Sequence, residues 1–403
     1  MCQSTHTEQK SFEKKFSLAQ FFNAHWDNYV KAPKAYISKE QFKAVNAIRL
    51  CRTPKLGKDI YSCDDCGKVV EIYHSCKNRF CPNCSWTDTL KWADKVYEKL
   101  LNIPHRHVVM TLPHALNPII VKNKKFCFDT LMSIASNIMK EYIIKQHEVI
   151  PGVISVLHTF GEKKNLHVHV HMIVSWGGIN HKKAQLKSIP VKQHVGYLDL
   201  KETFRIRYIK ALTEQYQTNQ LKHNFANEAE FQQFIANAQQ KEWIIHLEPP
   251  MNMPEQIIRY IGRYSKRACL SEYKITDIDG DYISFRYKDY KEKDSGGKPL
   301  EKILTLHYFD FFPLLLQHVP LPNFRIVRYS GAYATKVKID PVYREKPAQA
   351  DSGQKVITLN DTKVCEKCNG QMIYRETRAS IGSVKWFIYR KMELSMHSKK
   401  IAA

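Results

Sequence analysis

The sequence predicts an α+β protein, a central antiparallel sheet with flanking helices and a small zinc-binding domain ahead of it. Three observations predict this. Two apolar runs with strand periodicity, VISVLHTF and NLHVHVHMIVSW, are joined by the short polar GEKKN and read as a hairpin. Runs with helical periodicity stand on both sides of that hairpin. Cysteines gather in Cys-x-x-Cys steps toward the N-terminus, the signature of a zinc module.

In chain order, residues 1–50 read as a helical lead-in, with Phe12, Phe16, Leu18, Phe21, Phe22 and then Phe42, Val45, Ile48, Leu50 at three- and four-residue intervals. Residues 51–100 are the zinc-binding domain. Residues 101–275 are the main sheet domain: HRHVVMTLP is strand-like, 125–147 is a helix carrying Phe126, Phe128, Leu131, Ile134, Ile138 and Ile143, and the hairpin follows. A helical insert at about 200–240 leads to the short strand WIIHLEP, which Pro249 and Pro250 end. Pro254 and Glu255 then start a helix running to about residue 268. Residues 276–345 form an extension containing strands, YISFRYKDY and KILTLHYF. Residues 346–403 are a polar linker and a tail with a last Cys-x-x-Cys.

Composition narrows the partners. The 62 Lys and Arg against 39 Asp and Glu give a formal charge of +23, which counterion release converts into affinity for a polyanion such as nucleic acid. The other reading of such a charge is a solubility device or a binder of anionic membrane surfaces. Eleven cysteines, an odd number mostly in short pairs, favour zinc in a reducing compartment over disulfides, so a cytoplasmic protein is expected. The N-terminus has no apolar signal region, and no stretch reaches the roughly 18 apolar residues of a membrane span.

In CDDCGKVVEIYHSCKNRFCPNC, the two knuckles Cys63-x-x-Cys66 and Cys81-x-x-Cys84 supply four thiolates to one tetrahedral zinc, with no open position for catalysis. Cys51, His74 and Cys76 are surplus to it, as packed side chains or as ligands of a second zinc. Lys68, Lys77 and Arg79 add charge for phosphates. Cys365 and Cys368 lack two ligands nearby, so a zinc site there is completed from elsewhere in the fold or is absent.

Alternation puts His167, His169 and His171 on one strand face and Val168, Val170 and Met172 on the other, toward the core. Neutral imidazoles two residues apart, about 7 Å at the backbone, can converge on one cation while another element supplies a third ligand. A solvated or packed histidine face is the plainer reading. In PEQIIRYIGRYSKRA, a step of about 100° per residue aligns Gln256, Tyr260 and Tyr264 in one row, with Ile257, Ile258 and Ile261 on the burying flank and Arg259, Arg263 and Arg267 on the other. Phenols on that seam reach a phosphate held by guanidinium groups, with Lys266 adding a further cation; the plainer reading is the amphipathic edge of a core helix. Gly262, which costs a helix about 1 kcal/mol, suggests a close approach.

These residues resemble the HUH-type rolling-circle transposases of bacterial insertion sequences, in the two-tyrosine branch with an N-terminal zinc-binding domain. The resemblance rests on IRLCRTPKLG, SCKNRFCPNC, HRHVVMTLPHALNP, HVHMIVSWGG, RYIGRYSKR and FRIVRYSGAYA, in family order over about residues 40–335. It implies an HUH endonuclease-like catalytic sheet, with His169 and His171 as the metal pair and His167 as a neighbour or reserve ligand. It also implies Mg²⁺ or Mn²⁺ as the catalytic ion beside structural Zn²⁺, and Tyr260 and Tyr264 as nucleophiles. Gln256 is the expected third ligand because its row faces as Tyr260 does, with His246 and Glu248 as rivals. The implied partner is single-stranded DNA at element ends and target, held through Arg259, Arg263, Lys266 and Arg267 near the bacterial nucleoid. Any helicase would come from the host, since no GxxxxGK[ST] motif occurs. The rival classes are a plasmid replication initiator or relaxase and a non-catalytic zinc-dependent DNA-binding protein.

Overall fold

The computed structural model describes residues 16–33, 37–180, 185–193, 195–251, 269–344 and 364–379, with residues 86–91 as backbone only. The chain begins with α1 (Leu18–Lys31) and α2 (Lys39–Leu50), each started by a serine cap, Ser17 and Ser38, whose hydroxyl accepts an otherwise orphaned amide. The hairpin β1 (Lys58–Cys63) and β2 (Val69–Tyr73) and the helix α3 (Pro82–Tyr97) follow.

The main domain runs β3 (His105–Thr111), α4 (Asn117–Lys122), α5 (Lys124–His147), β4 (Gly152–Phe160) and β5 (Leu166–Ser175). After the small ribbon of β6 (Gly177–Asn180) and β7 (Gln185–Ser188) come α6 (Tyr197–Gln217), α7 (Glu228–Gln240) and β8 (Ile244–Leu247). The expected insert is therefore a helix pair. Beyond residue 269, β9 (Ile275–Asp279), β10 (Tyr282–Lys293) and β11 (Pro299–His307) form a second sheet, followed by α8 (Tyr308–Leu316), β12 (Val327–Gly331) and, in the tail, β13 (Met372–Arg378).

The five-stranded central sheet has the order β12-β4-β5-β3-β8, with every neighbouring pair antiparallel and β5 in the middle, which bears out the α+β expectation. One face is mostly apolar: Val168, Val170, Met172 and Val174 of β5 and Val108 and Met110 of β3 are buried against Leu131, Ala135 and Ile138 of α5 and Phe204 and Tyr208 of α6. The opposite face is divided. Near β12, Ile154, Val156 and Ile173 pack under Val96, Leu100 and Leu101 and under Tyr333. Toward the other end of β5 lie the histidines.

A second core joins the lead-in helices to the extension. Phe21, Phe22 and Trp26 of α1 interlock with Phe311 and Phe312 of α8 and with Phe285 of β10, and Phe80, Cys81 and Cys84 belong to the same cluster. The cysteine-bearing segment is thereby fixed to the body of the protein by aromatic burial. Among the described residues, no helix is long and apolar enough to cross a membrane.

Candidate metal centre

Strand β5 sets the centre. Its even residues are spent on the core, so alternation forces His167, His169 and His171 onto the divided face. Strand β4 runs beside it and pairs Val156 with His171 and His158 with His169. The three side chains His158, His169 and His171 converge: their ligand nitrogens all lie within 4.8 Å of one another, and their ring centroids are 4.3–5.2 Å apart. His169 and His171 are brought together as expected. His158, which sequence reasoning did not single out, is the third.

A break in register puts His158 there. Phe160 pairs with Leu166, and straight counting from that pair would set His158 opposite Val168, on the core face. Instead the register shifts between His158 and Phe160, so that His167 and Val168 stand opposite the single residue Thr159. Such a bulge flips the side chains beyond it to the other face. His158 also lies parallel to the Phe160 ring, at 6.0 Å between centroids.

Outer contacts orient the imidazoles. The His169 Nδ1–H donates to the His167 carbonyl at 2.9 Å, which leaves Nε2 as the lone-pair nitrogen. Glu248 lies 3.1 Å from His107 Nδ1 and fixes that proton, so His107 Nε2 accepts from His171 Nδ1–H at 2.9 Å, and the His171 lone pair is on Nε2. Burial lowers the His107 pKa despite its carboxylate partner, which keeps this relay neutral. Burial, reinforced by the neighbouring imidazoles, holds His158 and His171 well below the ordinary histidine value and pushes His169 down to about 3. The three rings therefore present lone pairs, the form that binds a cation.

The rivals for a third ligand have other duties. Glu248 serves His107, and His246 Nε2 stands 3.7 Å from the same carboxylate. His167 is turned to His114, at 2.8 Å, away from the convergence point. Gln256, Tyr260 and Tyr264, with Arg259, Arg263, Lys266 and Arg267, lie outside the described residues.

A small cleft with room for about 70 Å³ adjoins the centre, with His158 in its wall. Arg79 and Phe80 of the cysteine-bearing segment, Phe160 of β4 and Phe324 line it, as do Lys124 and His318. Arg79 is exposed at its edge, whereas the Lys124 Nζ donates to the Gln317 carbonyl at 2.8 Å. An exposed arginine beside aromatic side chains is a combination that single-stranded nucleic acid favours.

The cysteines sort differently from the expected Cys63, Cys66, Cys81 and Cys84. Two groups of four form instead. Cys81 and Cys84 meet Cys51 and Cys76, while Cys63 and Cys66 meet Cys365 and Cys368 of the tail. The physical reason is that Cys63 and Cys66 close the β1–β2 turn, whereas Cys81 caps α3 and holds its pair in the aromatic core beside the end of α2. In the first group Cys84 Sγ lies 3.5 Å from Cys51 Sγ and 3.6 Å from Cys76 Sγ. Tetrahedral zinc with Zn–S bonds of about 2.3 Å requires about 3.8 Å between sulfurs, whereas a disulfide requires about 2.05 Å, so the set fits the metal.

A family model described as "Transposase zinc-binding domain" matches residues 21–112, and one described as "Putative transposase" matches residues 152–339. Both models describe transposases, and the chain is similar to them in the order zinc-binding domain, then transposase domain. A Sinorhizobium fredii protein named "Putative transposase y4qJ" is 26% identical over 379 residues, covering 88% of this chain and 94% of that one. The transposase for insertion sequence element IS801 of Pseudomonas savastanoi pv. phaseolicola is 26% identical over 309 residues, covering 74% of this chain and 71% of its own. No solved structure matches. In this chain the first cysteine group lies wholly within the zinc-binding match, and His158, His169 and His171 lie within the second.

Proposed function

We propose that this transposase nicks and rejoins single-stranded DNA at insertion-sequence ends by rolling-circle chemistry, through a 5′-phosphotyrosine. The observation that carries the reading is the convergence of three neutral imidazoles, His158, His169 and His171, at one point beside a cationic, aromatic cleft. A divalent ion held there would neutralise the non-bridging oxygens of the scissile phosphate. Three nitrogen donors favour a transition ion such as Mn²⁺ over Mg²⁺, which prefers oxygen; the amide oxygen of Gln256 is the proposed further donor.

The reacting groups are Tyr260 and Tyr264. One phenol oxygen attacks the phosphorus, the bond from phosphorus to the 3′ oxygen breaks, and the proton lost by the phenol is balanced by that gained at the departing 3′-OH. One phosphoester replaces another, so no nucleotide hydrolysis is needed. The second phenol, or the released 3′-OH, then attacks in turn and joins the element to its target. Arg259, Arg263, Lys266 and Arg267 hold the phosphate and offset the charge of the transition state. Arg79 and the half-buried Phe160 ring grip the flanking strand in the cleft.

The test uses labelled single-stranded element-end DNA and detergent-resistant adducts. Wild type should form a covalent adduct with a free 3′-OH product. Replacing Tyr260 and Tyr264 separately by Phe should abolish the first adduct in one case and strand joining in the other, with DNA binding retained in both. Adducts of undiminished yield in the double variant would remove both tyrosines from the chemistry, and DNA binding without any adduct in the wild type would reduce the chain to a DNA-binding protein.

A further inference from the structure

We propose that Cys63, Cys66, Cys365 and Cys368 form a second zinc site that clasps the C-terminal tail onto the N-terminal domain. It lies outside both family matches on its tail side, since these end at residues 112 and 339, and it does not depend on the proposed DNA chemistry.

The four sulfurs lie close together although the chain positions are remote. Cys63 Sγ is 3.4 Å from Cys368 Sγ across 305 positions, and Cys66 Sγ is 3.5 Å from Cys365 Sγ across 299. All four ligand atoms are within 4.8 Å of one another. These separations are near the sulfur edge of a zinc tetrahedron and far too long for disulfides.

The two pairs share one local geometry. At Cys63 the backbone amide donates to the Lys68 carbonyl at 2.9 Å, and the Gly67 amide returns to the Cys63 carbonyl at 2.9 Å. At Cys365 the amide donates to the Gly370 carbonyl at 2.7 Å, and the Asn369 amide returns to the Cys365 carbonyl at 2.8 Å. The fifth residue of each loop, Gly67 at φ +69° and Asn369 at φ +59°, takes the left-handed conformation that turns the chain back. Each loop thus aims two sulfurs outward from a tight turn, and the loops face each other. A Cβ at Gly370 would meet the Asp65 carboxylate, so the tail loop is shaped for this contact.

The surroundings need a metal to hold them. Strand β13 pairs antiparallel with β1 as the outer strand of a three-stranded sheet, and Lys68–Glu366 and Arg375–Asp64 ion pairs flank the thiols. Yet among the described residues the buried cluster beneath this unit is Cys63, Cys365 and Met372, with Tyr61, Cys66 and Val70 half-buried against it, while Val69, Ile72, Ile373 and Tyr374 remain exposed. A sheet with so little apolar burial does not stay folded by packing alone, and a structural zinc supplies the missing free energy.

The test is metal stoichiometry on the purified full-length chain, by elemental analysis and native mass spectrometry under reducing conditions. Two zinc ions per chain are expected, falling twofold to one in the C365S/C368S variant. One zinc in the wild type, two in the variant, or a Cys63–Cys368 disulfide in a non-reducing peptide map would overturn the proposal. Should the variant not fold, ¹¹³Cd substitution of the wild-type chain decides: two resonances of four-thiolate type support the clasp, and a single one refutes it.

Discussion

His158, His169 and His171 are oriented by three different devices: an aromatic ring, a backbone carbonyl and a carboxylate–histidine relay. Their losses should differ accordingly. Glu248→Gln keeps the shape but weakens the proton acceptor of His107, and is expected to cost about 10–100-fold in Mn²⁺ affinity. His158→Ala removes a lone pair from the set and should cost more, whereas His167→Ala should leave affinity unchanged, because only the His167 backbone serves His169. Calorimetric Mn²⁺ titration of the three variants checks the order; equal affinity of His158→Ala and wild type would remove His158 from the centre. With nitrogen donors dominant, nicking should be faster with Mn²⁺ than with Mg²⁺ at equal concentration, and a Mg²⁺ preference would indicate a more oxygen-rich site.

At the level of strands and turns, β12 is pinned to β4 at a point that tolerates no side chain. Gly331 has φ +60°, and a Cβ there would meet the Pro151 carbonyl. Gly331→Ala should therefore destabilise the protein by at least about 1–3 kcal/mol, seen as a lower denaturant midpoint with an unchanged slope. The neighbouring Tyr333 hydroxyl, bonded to His105 Nε2 at 2.6 Å and accepting from the Leu101 amide at 3.1 Å, makes this corner the joint between the sheet and the segment after α3.

The central hairpin was legible because β5 spends its even residues on the core, which dictates where His169 and His171 face. His158 was not, because the one-residue shift opposite Thr159 has no local marker such as glycine or proline. The cysteines misled for a related reason. Cys63, Cys66, Cys81 and Cys84 are the pairs nearest in sequence, but burial of Cys81 and Cys84 with Phe80 in the aromatic core separates them from the β1–β2 turn. The tail pair, remote in sequence, fills the place that proximity had assigned to Cys81 and Cys84.

For the molecule as a whole, the charge of +23 makes DNA binding an ion-exchange process. The logarithm of affinity for single strands should fall linearly with the logarithm of salt, by about 0.7 per phosphate contact. Arg79→Ala should reduce that slope by roughly 0.7 if Arg79 grips a phosphate at the edge of the cleft, whereas an unchanged slope would place the strand elsewhere. Chelation should also act globally, because cross-linking positions about 300 apart removes up to roughly 6 kcal/mol of loop entropy from the denatured chain. A chelator-treated sample should melt at a lower temperature, and the C365S/C368S variant should account for only part of that loss.

The pairing of β13 with β1 also imposes an order on synthesis. At about 5–20 residues per second, β1 leaves the ribosome roughly 15–60 s before its partner strand exists. A message cut short anywhere upstream of codon 372 yields a polypeptide whose first sheet lacks its outer strand and exposes a bare edge to proteases. Only a polypeptide extended past β13 can close that edge.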